Sequence, residues 1–447
     1  MVLITLTRIF LLTHGQPTLT REVTTPHLSP FITTCLQSII RHTQDSTPKV
    51  VDSQSPYLET VLQCFIRLLP NHPASFRPFS SQIRRLLGGL LASSTGDPQK
   101  DSDVNLALPT QKISKLSRQL HALLPLCAPK NGATEEWKHY LRLTLKQIDR
   151  TANVAFRAVR ETQPQSDGVH VANNLAADDP ADSISDDLLL PGWRGLSSGV
   201  ERITGLLSLL AAYLSTKGHF TYQIPIRPIY EMTERMLSIT RPIATTSTMH
   251  ECNNHQISRE ERDALYMMLP KVHTATIEVL SVIFQRSSLV SMSFAEDLLE
   301  QITWMVRRST TTTRLRIAVY KMVDQIVQLI GPSMTIAKMT SVNHMLRLAC
   351  KDLTPGSQRS KPAKPNSTGQ SIQHNADSFM PGSKQSQRKY VTPKSLRDQA
   401  LQLLTTCTLR IPAAALAHVR LQLDGTAALL QDEKLYLASI LLSLIHI

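Results

Sequence analysis

Glycine is scarce in this chain, 16 of 447 residues, and aromatic side chains make up only 5%. Sandwiches and barrels need many tight turns and pleated aromatic or β-branched faces, so both shortages point away from an all-β architecture. Charged residues amount to 19%, with Ser, Thr and Gln filling the difference. No glycine-rich loop followed by Lys-Ser or Lys-Thr is present, which removes the common nucleotide-binding route. The six cysteines, at 35, 64, 127, 252, 350 and 407, lie too far apart for a disulfide framework or a paired metal cage. Most of them sit on apolar helical stripes, which predicts buried free thiols in a reducing compartment. The opening Met1 to Leu12 is broken by Arg8 and has neither a basic leader nor a small-residue cleavage site, which argues against a signal peptide. The apolar ending from Leu435 to Ile447 is 13 residues, short of the roughly 20 that span a bilayer. Both ends read as core helices cut at or near their boundaries, and no membrane association is expected.

What the chain does have is helical spacing, clearest from Leu190 to Ile239. Apolar residues fall at Leu196, Val200, Ile203, Leu207, Leu210 and Leu214, alternating steps of four and three along one helix face. Leu206, Leu209 and Tyr213 widen that stripe, so the helix needs cover on two sides. Lys217-Gly218 supplies a closing signal, and Pro225 with Pro228 can begin a second helix carrying Ile229, Met232, Met236 and Ile239.

The same periodicity recurs along the chain. Two patterns between Thr5 and Arg41 bracket an expected turn at Pro26 to Pro30. Further helices are predicted over 57–69, 79–91, 113–124 and 134–160, the last with Thr134 as N-cap and Glu135 and Glu136 in its first turn. After the central pair, helices follow over 259–286, with a kink or break at Pro270, and over 294–308, 315–330 and 334–348. Between Glu161 and Trp193 there are seven acidic residues and no Lys or Arg, the composition of a solvated loop. Thr354 to Lys394 holds seven cations against one acid, the composition of a flexible basic linker. The division is therefore N-terminal helical repeats over 1–160, an acidic loop over 161–193, central repeats over 194–350, the basic linker over 351–394 and C-terminal helices over 395–447. Units of about 40 residues built from two helices predict an all-α HEAT- or armadillo-like α-solenoid of antiparallel helix pairs, an architecture that presents long surfaces to partners.

Candidate chemistry is sparse. Gly195-Leu-Ser197-Ser-Gly199 fits the G-x-S-x-G nucleophile elbow, but that device needs a strand before the serine and a parallel sheet around it, and neither pattern is visible. Ser197 reads instead as a first-turn helix residue. Cys252-Asn-Asn-His255 is half a zinc spacing with no second pair near it in sequence. No catalytic, metal or cofactor site is assigned. Trp193 and Arg194, with the aromatic connection Phe220 and Tyr222, are candidate partner-binding residues; the competing reading packs Trp193 on Tyr213 or Phe220 and is preferred, because the Pro191-Gly192 turn pins it to an apolar helix. Lys361, Lys364, Arg388, Lys389 and Lys394 are candidate nuclear-import or RNA-contact residues, set against a plain solubilising tether. The formal charge of +13 suits a polyanion-rich setting.

The segments from Leu6 to Leu36, Tyr57 to Leu87 and Leu190 to Ser215 resemble the Rix family of fungal pre-rRNA-processing proteins, which is related to the animal proline-, glutamate- and leucine-rich nucleolar scaffold. The resemblance runs through most of Leu6 to Leu348. It implies a non-enzymatic helical-repeat scaffold of the nucleolus and nucleoplasm, in complex with a WD-repeat propeller protein and a second helical-repeat protein. It further implies attachment to the large-subunit pre-ribosome, removal of the second internal transcribed spacer, remodelling with the midasin ATPase, and self-association; direct rRNA contact is left open. The chain begins almost inside the first shared segment and stops in an apolar helix without the family's low-complexity tail, so a fragment or truncated gene model is expected. The alternatives are a chromatin-associated helical scaffold and, from the Gly195–Gly199 match, a serine hydrolase.

Overall fold

The computed structural model describes residues 1–45, 51–91, 111–129, 132–159, 179–182, 188–216, 223–242, 254, 257–334, 339–354 and 392–444. They form two compact units, Met1–Ala318 and Val319–Ile447. Both are built from helices, and the β content among the described residues is one antiparallel bridge of two-residue strands, β1 (Ala181–Asp182) and β2 (Trp193–Arg194).

The first unit begins with α1 (Val2–Leu12), α2 (Thr25–Asp45), α3 (Val51–Leu68), α4 (Ser80–Leu91) and α5 (Gln111–Leu123). Their apolar stripes meet in one core around Phe10, Leu28, Ile32, Phe65, Phe76 and Leu120. The turn expected at Pro26 to Pro30 is absent, for α2 starts at Thr25 and runs through Pro30. Pro26 lies just after a π-helical turn, Thr20–Thr24, so the helical backbone already runs into α2, and the proline ring fixes a φ that a helix accepts. Pro30 costs about 3 kcal/mol. Burial of Leu28, Phe31, Ile32, Cys35, Leu36 and Ile39 outweighs it, at about 1.5–3 kcal/mol for each large aliphatic or aromatic chain.

A second core follows with α6 (Ala133–Ala155), α7 (Leu196–Ser215), α8 (Ile226–Ser238), α9 (Arg259–Arg286) and α10 (Ala295–Arg308). Helix α7 is central: it packs against α5, α6 and α9, and all the stripe residues expected from Leu196 to Leu214 are buried. Cover on three sides explains why its apolar face exceeds that of a surface helix. The N-cap of α6 is Gly132 rather than Thr134, while Glu135 and Glu136 do occupy the first turn. Helix α9 passes through Pro270 unbroken, and its N-terminus is closed by Ser258, whose side chain accepts from the Glu261 N–H at 3.1 Å. Among the described residues α9 is the one helix long and apolar enough to cross a membrane, and 67% of its apolar window is buried in this core.

The second unit holds most of α11 (Thr313–Ile330), then α12 (Met339–Leu353), α13 (Lys394–Arg410), α14 (Ala413–Leu430) and α15 (Glu433–Leu444). Helix α12 packs on α13 and α14, and α15 on α13 and α14. Tyr320, fully buried, donates to Asp352 at 2.6 Å and ties α11 to α12. The architecture is all-α, as the periodicity predicts.

Candidate interaction surface

Most of the acidic loop expected over 161–193 lies outside the described residues, but its last stretch, Leu188 to Trp193, packs on the fold. Leu188 and Leu190 are buried in the second core, and Leu189 between them takes a left-handed φ of 58°. This docking depends on Gly88 in α4, where a Cβ would stand 2.3 Å from the Leu189 carbonyl oxygen. Buried Arg202 donates to the Pro191 carbonyl at 2.5 Å and fixes the next turn. The chain then passes through the bridge of β1 and β2, and the Gly195 N–H donates to the Pro180 carbonyl at 2.8 Å. Gly195 itself has φ 87°, a conformation that L side chains resist, and from it the chain turns into α7.

This corner separates two neighbours. Trp193 is 5% exposed, with its ring lying over Gly199, where a Cβ would be 2.7 Å from it. Tyr213 finds its own ring partners in Trp137 and His121, and its hydroxyl lies 2.8 Å from His121 Nδ1. Arg194 points outward, its side chain 61% exposed beside Asp179 at 3.7 Å. Phe220 and Tyr222 lie outside the described residues, as do Lys361, Lys364, Arg388 and Lys389. Lys394 is exposed in the first turn of α13.

Among the described residues the strand and sheet of a nucleophile elbow are not assembled around Ser197. It is exposed in the first turn of α7, Ser198 is buried, and the strand before them is the two-residue bridge. Among the described residues no three His, Cys, Asp or Glu side chains converge as a metal site. Cys252 and His255 fall outside the described residues; Asn254 between them donates through its side chain to the Arg157 carbonyl at 3.0 Å. The five described cysteines are free and buried. Burial pushes the Cys127 thiol up to about 11 and the Cys35 thiol up to about 12, so both are held protonated and are poor nucleophiles.

Sequence reasoning passed over two groupings. One is internal: Arg84 pairs with Glu136 and lies 4.3 Å from the centre of the Tyr140 ring, beside His121. The other is external, Arg307, Arg308 and Arg314 around the turn between α10 and α11, all exposed. Its signal was available as Arg307-Arg-Ser-Thr-Thr-Thr-Thr-Arg-Leu-Arg316, four arginines in ten residues without an acid.

The chain is similar to known proteins in sequence and in fold. The family model RIX1, described as rRNA processing/ribosome biogenesis, matches residues 1–98. Those residues comprise α1 to α4 and most of the first core. The pre-rRNA-processing protein RIX1 of Lodderomyces elongisporus is 26% identical over 289 residues, covering 62% of this chain and 32% of that protein. The pre-rRNA-processing protein RIX1 of Meyerozyma guilliermondii is 25% identical over 310 residues, 67% of this chain and 38% of that protein. The chain thus spans about a third of the length of the curated relatives it matches. Among solved structures, the Rix1 subcomplex of a Rix1-Rea1 pre-60S particle has a chain of the same fold, with TM-score 0.59 and 14% identity over 98% of this chain and 70% of that one. That likeness fits the helical-repeat solenoid.

Proposed function

We propose that the chain is a non-enzymatic scaffold in assembly of the large ribosomal subunit, working in the nucleolus and nucleoplasm. The observation that carries this reading is the RIX1 match over α1 to α4, continued by a whole-chain fold like that of the Rix1 subcomplex chain. A stack of helix pairs offers extended faces rather than a reaction cleft, which suits a protein that holds others in fixed relation. On this reading its partners are a WD-repeat propeller protein, a second helical-repeat protein, the midasin ATPase and a further copy of itself. The processes it serves are removal of the second internal transcribed spacer and midasin-dependent remodelling of the precursor particle. Arg194 at the α7 corner contributes to partner contact, with buried Trp193 holding its backbone in place. Lys361, Lys364, Arg388, Lys389 and Lys394 serve nuclear import or RNA retention.

The test is affinity purification of the tagged chain from cells, with mass spectrometry of the proteins and sequencing of the RNA. Spacer-containing large-subunit precursors with a propeller protein are expected. Recovery of chromatin proteins without those precursors overturns the reading in favour of a chromatin scaffold. Labelling of Ser197 by a fluorophosphonate probe overturns the non-enzymatic assignment.

A further inference from the structure

Helix α10 buries Leu298, Leu299, Ile302, Met305 and Val306, so the helix places Trp304, Arg307 and Arg308 on its other side. The Arg308 guanidinium lies 4.4 Å from the centre of the Trp304 ring, stacked as a cation on an aromatic face. The Ser309–Thr312 turn follows, with Thr310 and Thr312 exposed, and Arg314 stands exposed in the first turn of α11. Arg241 joins this group from the chain beyond α8, because it lines a cavity of about 260 Å³ together with Asp263, Tyr266, Pro270, Ser309 and Thr310. Among the described residues no carboxylate pairs with Arg241, Arg307, Arg308 or Arg314, and Asp263 on the same cavity wall pairs with Arg259 at 3.6 Å. All of these positions belong to the first compact unit.

Exposed cations without acids to answer them repel one another, and a polyanion relieves that repulsion while releasing its condensed counterions. Guanidinium forks match phosphate oxygens, and threonine hydroxyls donate to the same oxygens. An acidic peptide would satisfy the charge but leave the Trp304–Arg308 stack unused. Single-stranded nucleic acid uses both, since unpaired bases stack on aromatic and guanidinium planes. We propose that Arg241, Arg307, Arg308 and Arg314, with Trp304 and the Thr310–Thr312 hydroxyls, form a contact site for single-stranded RNA. The site rests on the scaffold reading only for the source of that RNA, a ribosomal precursor.

The test is fluorescence anisotropy of a labelled single-stranded RNA of about 16 nucleotides, the upper end of the site sizes of such grooves, titrated with the full chain over a range of salt. Changing Arg307, Arg308 and Arg314 together to Gln is expected to weaken binding at least about tenfold and to lower the slope of log affinity on log salt by about 2, three phosphate contacts at roughly 0.7 each. Unchanged far-ultraviolet circular dichroism and melting temperature establish that the variant is folded, as exposed positions allow. Trp304→Ala is expected to weaken RNA binding several-fold and leave heparin binding unchanged. A second variant carries Gln at Lys361, Lys364, Arg388 and Lys389. Unchanged affinity in the arginine variant, with the loss falling on the linker variant, overturns the site. An equal loss for RNA and polyglutamate, with no effect of Trp304→Ala, also overturns it and makes the patch a surface for acidic protein. Retained recovery of precursor particles in cells alongside unchanged RNA affinity would sink this site alone and leave the scaffold function standing.

Discussion

Trp193 and Arg194 are adjacent in sequence and opposite in environment, one 5% exposed over Gly199 and the other with most of its side chain in water. The extended bridge to β1 produces that split, since successive residues of a strand point to opposite sides. The indole nitrogen of Trp193 has no hydrogen-bond partner among the described residues, so the side chain stabilises through contact area alone. Trp193→Ala should therefore cost about 3–5 kcal/mol in urea unfolding, the usual range for deleting a buried tryptophan. Trp193→Phe should cost much less than Trp193→Ala, because no hydrogen bond is lost and most of the ring area remains. Equal losses for the two substitutions would mean that the indole N–H is paired in solution. Arg194→Ala, by contrast, should leave the melt unchanged, as its contact with Asp179 is exposed and weak.

At the scale of elements, helix positions were legible wherever apolar residues recur at steps of three and four, and α7 is the clearest instance. What periodicity missed has separate physical causes. Pro26 and Pro30 mimic a turn, yet prolines within helical backbone are tolerated when the surrounding turns bury enough apolar surface. The acidic composition before Trp193 hid Leu188 and Leu190, whose burial depends on Gly88, a residue about 100 positions earlier that no local pattern links to them. The arginines around the Ser309–Thr312 turn were visible in the sequence, but their isolation from carboxylates is a property of the folded surface. The cap of α9 was equally readable and overlooked: Ser258 and Glu261 have the spacing of a capping box. Glu261 also makes a paired contact with Arg157, at 2.8 and 2.9 Å, which ties the start of α9 to the end of α6. Ser258→Ala should destabilise the first unit by about 1 kcal/mol. Hydrogen exchange should locate the loss in the first turn of α9, and increased exchange spread evenly over the unit would exclude a capping role.

For the whole molecule, the buried histidines set how stability responds to acid. His121 lies fully enclosed among Tyr140, Tyr213 and the Arg84 guanidinium. Burial, followed by the nearby positive charge of Arg84, holds its imidazole down at about 3. His273 on α9 contacts the Ile239 carbonyl at 3.0 Å through Nε2, and burial lowers it to about 4 despite that favourable bond. Both belong to the Met1–Ala318 unit. In the unfolded chain each imidazole takes up a proton near pH 6.5, whereas the folded chain refuses it until the pH is far lower. The unfolded state therefore binds more protons between these limits, and stability present above pH 6.5 is lost as the pH falls. The two groups together approach a loss of about 2.7 kcal/mol per pH unit near pH 5, at about 1.36 kcal/mol for each proton excluded. Carboxylates add their own dependence, so the informative quantity is the difference between parent and variant. His121→Gln with His273→Gln should be less stable at pH 7, through lost packing and altered hydrogen bonds, but its stability should fall between pH 6 and pH 5 by about 2 kcal/mol less than that of the parent. Urea unfolding at the two pH values measures this directly. Parallel losses in parent and variant would show that both imidazoles protonate inside the fold as readily as in water, and would break the link between their burial and the acid sensitivity of the unit.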